Sequence, residues 1–245
     1  MQTRSRWNRN NLSFRDEAYS PAEGVSLWET CPQLAGLDPG VAHVFCDDFY
    51  RIYVAADWTV TAVGAGAVTQ PDGAGGLLRM TTAGADNDEE EIQKIGEAFK
   101  LATGKPLWFE ARVQLVTAAK HVQSDILVGL AITDTTLLPI GSLPTDGVYF
   151  RKDDGTALFG AITNKNSTET ITASVLTFAA ATWYKLGFFF DGAGTVYFYV
   201  DGVLVATHIT NIPDDEELTV SFAYMNGEAG ASAFDVDYVK CLQIR

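Results

Sequence analysis

Acidic pairs are the first residues in this chain whose spacing could do chemistry. Two carboxyls at i and i+2 share one face of a strand and can divide acid and base roles across a glycosidic bond. Asp235-x-Asp237, Glu89-x-Glu91 and Asp214-x-Glu216 have that spacing. The last two lie in the acidic runs Asp86–Glu91 (DNDEEE) and Asp214–Glu217 (DDEE), which read as solvated loops. Asp235 and Asp237 flank Val236 near the chain end and read as outward-facing charges on a final strand. The acidic runs also offer oxygen ligands for calcium, but neither follows the EF-hand pattern. No cofactor is expected, a structural calcium being the one exception these runs would allow.

The other chemistry-bearing types are sparse. His43, His121 and His208 form no H-x-H or H-x-x-x-H pair, so zinc has no visible ligand set and each reads as a surface or loop residue. There is no G-x-S-x-G elbow and no phosphate loop, and Gly73–Gly76 (GAGG) is a turn because no helical pattern follows it. Trp58, Trp108 and Trp183, with Tyr149 and Tyr224, are candidates for stacking on sugars in a groove of a concave sheet. A sandwich core would claim the same rings for packing. No catalytic residue is assigned, and the chain is expected to bind rather than catalyse.

The elements that must position these residues are strands. Leu107–Thr117 (LWFEARVQLVT) alternates, with Leu107, Phe109, Ala111, Val113 and Leu115 facing one way. Further strands are expected at Val44–Phe49, Trp58–Val63, Leu77–Thr82, Ile126–Thr133, Gly147–Arg151 and Ala157–Thr163, then Trp183–Asp191, Thr195–Asp201, Val203–Ile209, Leu218–Met225 and Phe234–Ile244. Asp191-Gly192 and Asp201-Gly202 are turn dipeptides, because Gly accepts positive φ and Asp tolerates it. Asp88–Leu101 has some helical spacing (Ile92, Ile95, Phe99), but Gly96 and its neighbours favour two short strands. About a dozen short strands punctuated by Gly and Asp make an all-β, two-sheet antiparallel jelly-roll sandwich over residues 44–245.

Residues 1–43 differ. They are polar, contain Pro21, Pro32 and Pro39, and scatter Trp7, Phe14, Tyr19, Leu27 and Trp28 without a period. They read as an extended N-terminal arm with aromatic anchors; folding back onto the sandwich is the alternative. Charge divides along the same line. Of 17 bases, Arg4, Arg6, Arg9 and Arg15 lie in the first fifteen residues, which hold none of the 31 acids, so the rest carries about −18. Such a body is unsuited to nucleic acid. No apolar run is long enough to span a bilayer. MQTRSRWNRNN lacks the apolar stretch of a secretory leader, and Cys31, Cys46 and Cys241 show no C-x-x-C spacing. Assembly in a reducing cytoplasm, with no membrane partner, is expected.

Several stretches, in order, resemble the concanavalin A-like lectin/glucanase superfamily: GKPLWFEARV (104–113), SDILVGLAIT (124–133), DGVYFRK (146–152), WYKLGFFFDG (183–192), FYVDG (198–202) and DVDYVK (235–240). Leu107–Val113 and the closing strand are similar to segments of bacterial laminarinase-type glucanases. The E-x-D-x-x-E strand that carries the acids of those glucanases has no counterpart in this sequence. The chain also resembles single-domain members of this superfamily in tailed-bacteriophage virions. That resemblance implies a capsid decoration protein on the virion surface, assembled in the host cytoplasm, with the major capsid protein as partner. It implies a homo-oligomer, a trimer among the arrangements. The arm would bind through Arg4, Arg6, Trp7, Arg9, Phe14, Arg15 and Trp28. The alternative is a carbohydrate-binding module or degenerate glucanase, using Trp58, Trp108 or Trp183.

Overall fold

The computed structural model describes residues 4–8, 11–15, 27–32, 38–52, 54–73, 75–117, 120, 122–138 and 142–245. A hairpin comes first, β1 (Arg4–Asn8) paired antiparallel with β2 (Asn11–Arg15). A 3-10 turn, Leu27–Thr30, follows. Next come β3 (Ala42–Asp47), β4 (Trp58–Val63), β5 (Ala67–Thr69), β6 (Leu78–Thr81), β7 (Glu89–Lys94) and β8 (Leu107–Leu115). They are followed by β9 (Ser124–Ala131), β10 (Gly147–Lys152), β11 (Leu158–Lys165), β12 (Thr168–Thr177) and β13 (Tyr184–Phe190). The chain closes with β14 (Val196–Val200), β15 (Val203–His208), β16 (Thr219–Asn226) and β17 (Ala233–Ile244).

The strands form two antiparallel sheets packed face to face. One runs β12-β11-β10-β9-β16-β7-β4; the other runs β15-β14-β13-β8-β17-β6-β5, with β3 also on β17. The expected jelly-roll sandwich is the fold. Alternation along β8 sends Phe109, Ala111 and Val113 into the space between the sheets. There they meet Val128, Phe150, Phe188, Phe198 and Phe222. The Asp201-Gly202 turn joins β14 to β15 with both residues at positive φ (50° and 80°), as that two-residue connection requires. Asp88–Leu101 resolves into strand β7 and an isolated bridge from Phe99 to Leu218, so one of the two expected short strands forms and the segment is not a helix.

Each sheet also has an apolar cluster on its outer face. Over the eight-stranded sheet, Leu27 packs with Trp108, Phe189, Tyr199 and Leu242. Over the seven-stranded sheet, Leu137 and Leu138 cover Leu127, Tyr149, Ile162 and Met225. These two covers decide which parts of the sheets stay open to a ligand.

Candidate functional site

One of the three carboxyl pairs departs from the sequence expectation. Glu89 and Glu91 are not in a solvated loop. They sit in β7 between β16 and β4, 7% and 2% exposed, on the sheet's outer face, while Ile92 points into the core. The acidic run misleads because these acids stand in an inner strand of the sheet. Burial raises both pKa values, that of Glu91 to about 9 with the neighbouring Glu89 adding to the rise. Asp235 and Asp237 do lie on the outer face of the final strand, but as ion pairs. Arg79 grips Asp235 through two bonds of 2.7 Å, and Arg112 Nη1 is 2.5 Å from Asp237 Oδ2. Asp214–Glu217 is exposed, with Lys165 and Lys100 beside it. Among the described residues no three metal-ligating side chains converge.

The stacking candidates do not line a groove. Trp58 (1% exposed) is in the central core, and Trp108 (2%) is under the Leu27 turn, its indole N–H donating to Thr30 Oγ1. Packing won because both rings stand on strand positions that face another layer. Trp183 is half-buried beneath the Arg112 guanidinium, 4.5 Å from its ring centroid. Tyr149 and Tyr224 are fully buried. His208 is a buried strand residue rather than a surface one, and His43 Nε2 donates to the Ala98 carbonyl at 2.9 Å. His121 lies outside the described residues. Trp28 packs on this chain's own sheet under Lys240. Arg4, Arg6, Trp7, Phe14 and Arg15 fall on the β1–β2 hairpin, where only the backbone is described, and Arg9 lies outside the described residues.

Two open concavities lie among the described residues. One, of about 270 Å³, lies between β3 and residues 95–99, lined by His43, Phe45, Ile95 and Phe99. Its polar groups are already engaged: the imidazole donates to Ala98, and the Lys94 ammonium, which also lines it, bonds Asp57. The other, of about 220 Å³, crosses β10, β11 and β12 on the outer face of the seven-stranded sheet. Leu158, Gly160, Ile162 and Ile171 make an aliphatic trough there, and Arg151, Asp153 and Ser174 bring polar atoms to it. Alternation explains the placement: Val148 and Phe150 take the core side of β10, so Tyr149 and Arg151 face outward.

Arg151 organises the polar side. Its Nε donates to Asp153 Oδ1 at 2.8 Å and its Nη1 to Glu169 Oε1 at 2.5 Å. The Tyr149 hydroxyl donates to the same Glu169 oxygen at 2.9 Å. Both acids are therefore tied to one guanidinium rather than set opposite each other across an open space. Nothing in the sequence singled out Arg151, Glu169 or Ile171. Arg151's one signal was the outward half of β10's alternation, which is mute without knowing which sheet face stays open; Glu169 and Ile171, on β12, had none.

Residues 74–237 match the family model described as SO2946-like, C-terminal domain. No curated protein sequence matches the chain. Among solved structures, SO2946 of Shewanella oneidensis MR-1, a protein of unknown function, is similar over 83% of this chain and 87% of that one, with TM-score 0.57 and 12% identity. An endo-1,3-β-glucanase of Streptomyces sioyaensis is similar over 84% and 97%, with TM-score 0.61 and 17% identity. The carbohydrate recognition domain of Emp46p is similar over 80% and 94%, with TM-score 0.57 and 11% identity. At these identities the likeness shows a shared concanavalin A-like fold.

Proposed function

We propose that this chain, which belongs to the SO2946-like, C-terminal domain family, is a glycan-binding sandwich that takes carbohydrate in the Arg151 groove without hydrolysing it. The observation that carries the reading is the pairing of an aliphatic trough with a fixed fan of donors and acceptors along one side. Sugars present C–H groups on their faces and hydroxyls at their edges, and a mostly apolar trough with a few oriented polar groups suits both. Fold likeness to a glucanase and a carbohydrate recognition domain supports this reading. It lends none to a capsid role.

The placement of the acids supports binding without turnover. A glycosidase needs a protonated acid and an ionised base flanking the scissile bond. Asp153 and Glu169 are both bound to Arg151, and Glu89 and Glu91 lie three strands away from it, past β9 and β16. Calorimetric titration with β-1,3-glucan and mixed-linkage β-glucan oligosaccharides tests the reading. Ile171 is 50% exposed on the trough floor, so Ile171→Glu should weaken binding about tenfold with an unchanged melting temperature. Absence of binding by the unmodified protein would sink the proposal. Release of reducing ends would overturn its non-hydrolytic half.

A further inference from the structure

The groove stops partway across its sheet. Ile162 belongs both to the trough and to the covered cluster of Leu127, Tyr149 and Met225, so the trough ends where the cover begins. That cover is segment 133–138, whose Leu137 and Leu138 are 0% and 1% exposed. It is pinned from the far side by β7 and the residues after it. Thr133 N–H donates to Glu97 Oε1 at 2.5 Å, Asp134 N–H to Gln93 Oε1 at 2.9 Å, and Leu137 N–H to Glu91 Oε1. Gln93 Nε2 also donates to the Ile132 carbonyl, at 2.9 Å.

The returning limb is pinned too. Asn164 Nδ2 donates to the Pro144 carbonyl at 2.6 Å, and the amides of Asn166 and Ser167 donate to Asp146 Oδ1 and the Thr145 carbonyl at 3.0 and 2.8 Å. A ligand lying across the strands meets Leu137 and Leu138 beyond Ile162. One lying along β11 meets Pro144. On its other side the groove reaches β12, the last strand of that sheet.

We infer that segment 133–138 is a wall that makes the groove a chain-end site, admitting the terminal sugars of a glycan and excluding chain interiors. The inference rests on the glycan-binding reading above. An interior segment must continue at both ends of the bound residues, and this groove continues at one. Its size agrees, being below the range that takes drug-sized ligands. Moving the wall aside would re-expose two leucines and break several hydrogen bonds, so it acts as a fixed boundary.

The test compares a linear β-1,3-glucan with its own partial hydrolysate of tenfold shorter chains, and with a cyclic β-glucan, which has no ends. For the unmodified protein, the hydrolysate should reach half-saturation at about tenfold lower mass concentration than the parent polymer. The cyclic glucan should not bind. Equal binding per unit mass, or binding of the cyclic glucan, would overturn the chain-end inference while leaving glycan binding intact. Failure of all three to bind overturns both. A Leu137→Gly, Leu138→Gly variant, checked for folding by its circular dichroism, should gain affinity for the long polymer relative to the hydrolysate.

Discussion

His208 closes β15 with both ring nitrogens engaged, Nδ1 3.0 Å from Thr163 Oγ1 and Nε2 2.9 Å from Thr172 Oγ1. It stitches the edge of one sheet to the edge of the other. Burial pushes its pKa down to about 4, because an imidazolium there would lose water and gain no counter-charge. The unfolded chain takes up the proton near the ordinary value of 6.5. It therefore binds more protons than the folded chain between those limits, and the stability that neutral His208 contributes is lost as pH falls from 6.5 towards 4. Against His208→Gln, which keeps polar atoms but does not titrate, the unmodified protein should lose about 3 kcal/mol of relative stability between pH 7 and pH 4. Urea midpoints at the two pH values measure this; a constant gap would show that His208 is not held neutral. The same burial hid the residue from the sequence, since a lone His in VLVATH looks like a strand-end surface residue until the facing threonines are in place.

The turn at Leu27–Thr30 acts as a strap on the eight-stranded sheet. Leu27 reaches over Gly187, where a Cβ would lie 2.5 Å from Leu27 Cδ2 and 2.8 Å from the Phe109 carbonyl oxygen. Gly187 is thus a notch for the strap rather than a bend in β13. Gly187→Ala should lift the strap and cost roughly 1–3 kcal/mol through overpacking. The expected signs are a lower urea midpoint and faster protease cleavage near residues 27–32; a variant matching the parent in both would contradict the notch. This contact was illegible in the sequence because it joins residues 160 positions apart, and Leu27 sat in a segment with no period. The hairpins of the C-terminal third were legible for the opposite reason. Asp201-Gly202 and the alternating residues around it specify their turn and pairing locally. Strand β12 (TETITASVLT) was missed because it lies at the sheet edge, where its mostly half-exposed residues show no apolar alternation. That omission also concealed the groove, one side of which is β12.

Across the whole molecule, the seven-stranded sheet holds an unusual load of buried acid, and this sets the sign of its pH response. Glu90 is pushed up to about 7, by burial first and then by Asp88 and Glu89, and Asp125 up to about 6, chiefly by burial. Glu91 is pushed up to about 9 and Glu89 is raised as well, both chiefly by burial, with Glu89 Oε1, Glu90 Oε1 and Glu91 Oε2 lacking any hydrogen-bond partner. Each of these groups holds its proton in the folded state after the unfolded chain has released it, so stability falls as pH rises through the interval between the two values. His208 and, through its own lowered pKa, His43 work the other way, but only below pH 6.5. Lys152, lowered to about 8 by burial, adds stability only above that pH. The carboxyls outnumber these opponents between pH 5 and 8. Unfolding free energy should therefore drop on the order of 3 kcal/mol across that range. Glu91→Gln keeps an acceptor for the Leu137 amide while removing the ionisable group, so it should flatten the slope and hold the wall in place at alkaline pH. A stability that stays level or climbs from pH 5 to 8 in the unmodified protein would mean that these carboxyls ionise freely in the folded sheet. Their burial would then have to be relieved by water or by a cation in solution. A slope of the expected sign that Glu91→Gln leaves untouched would instead place the titration on Glu90 and Asp125.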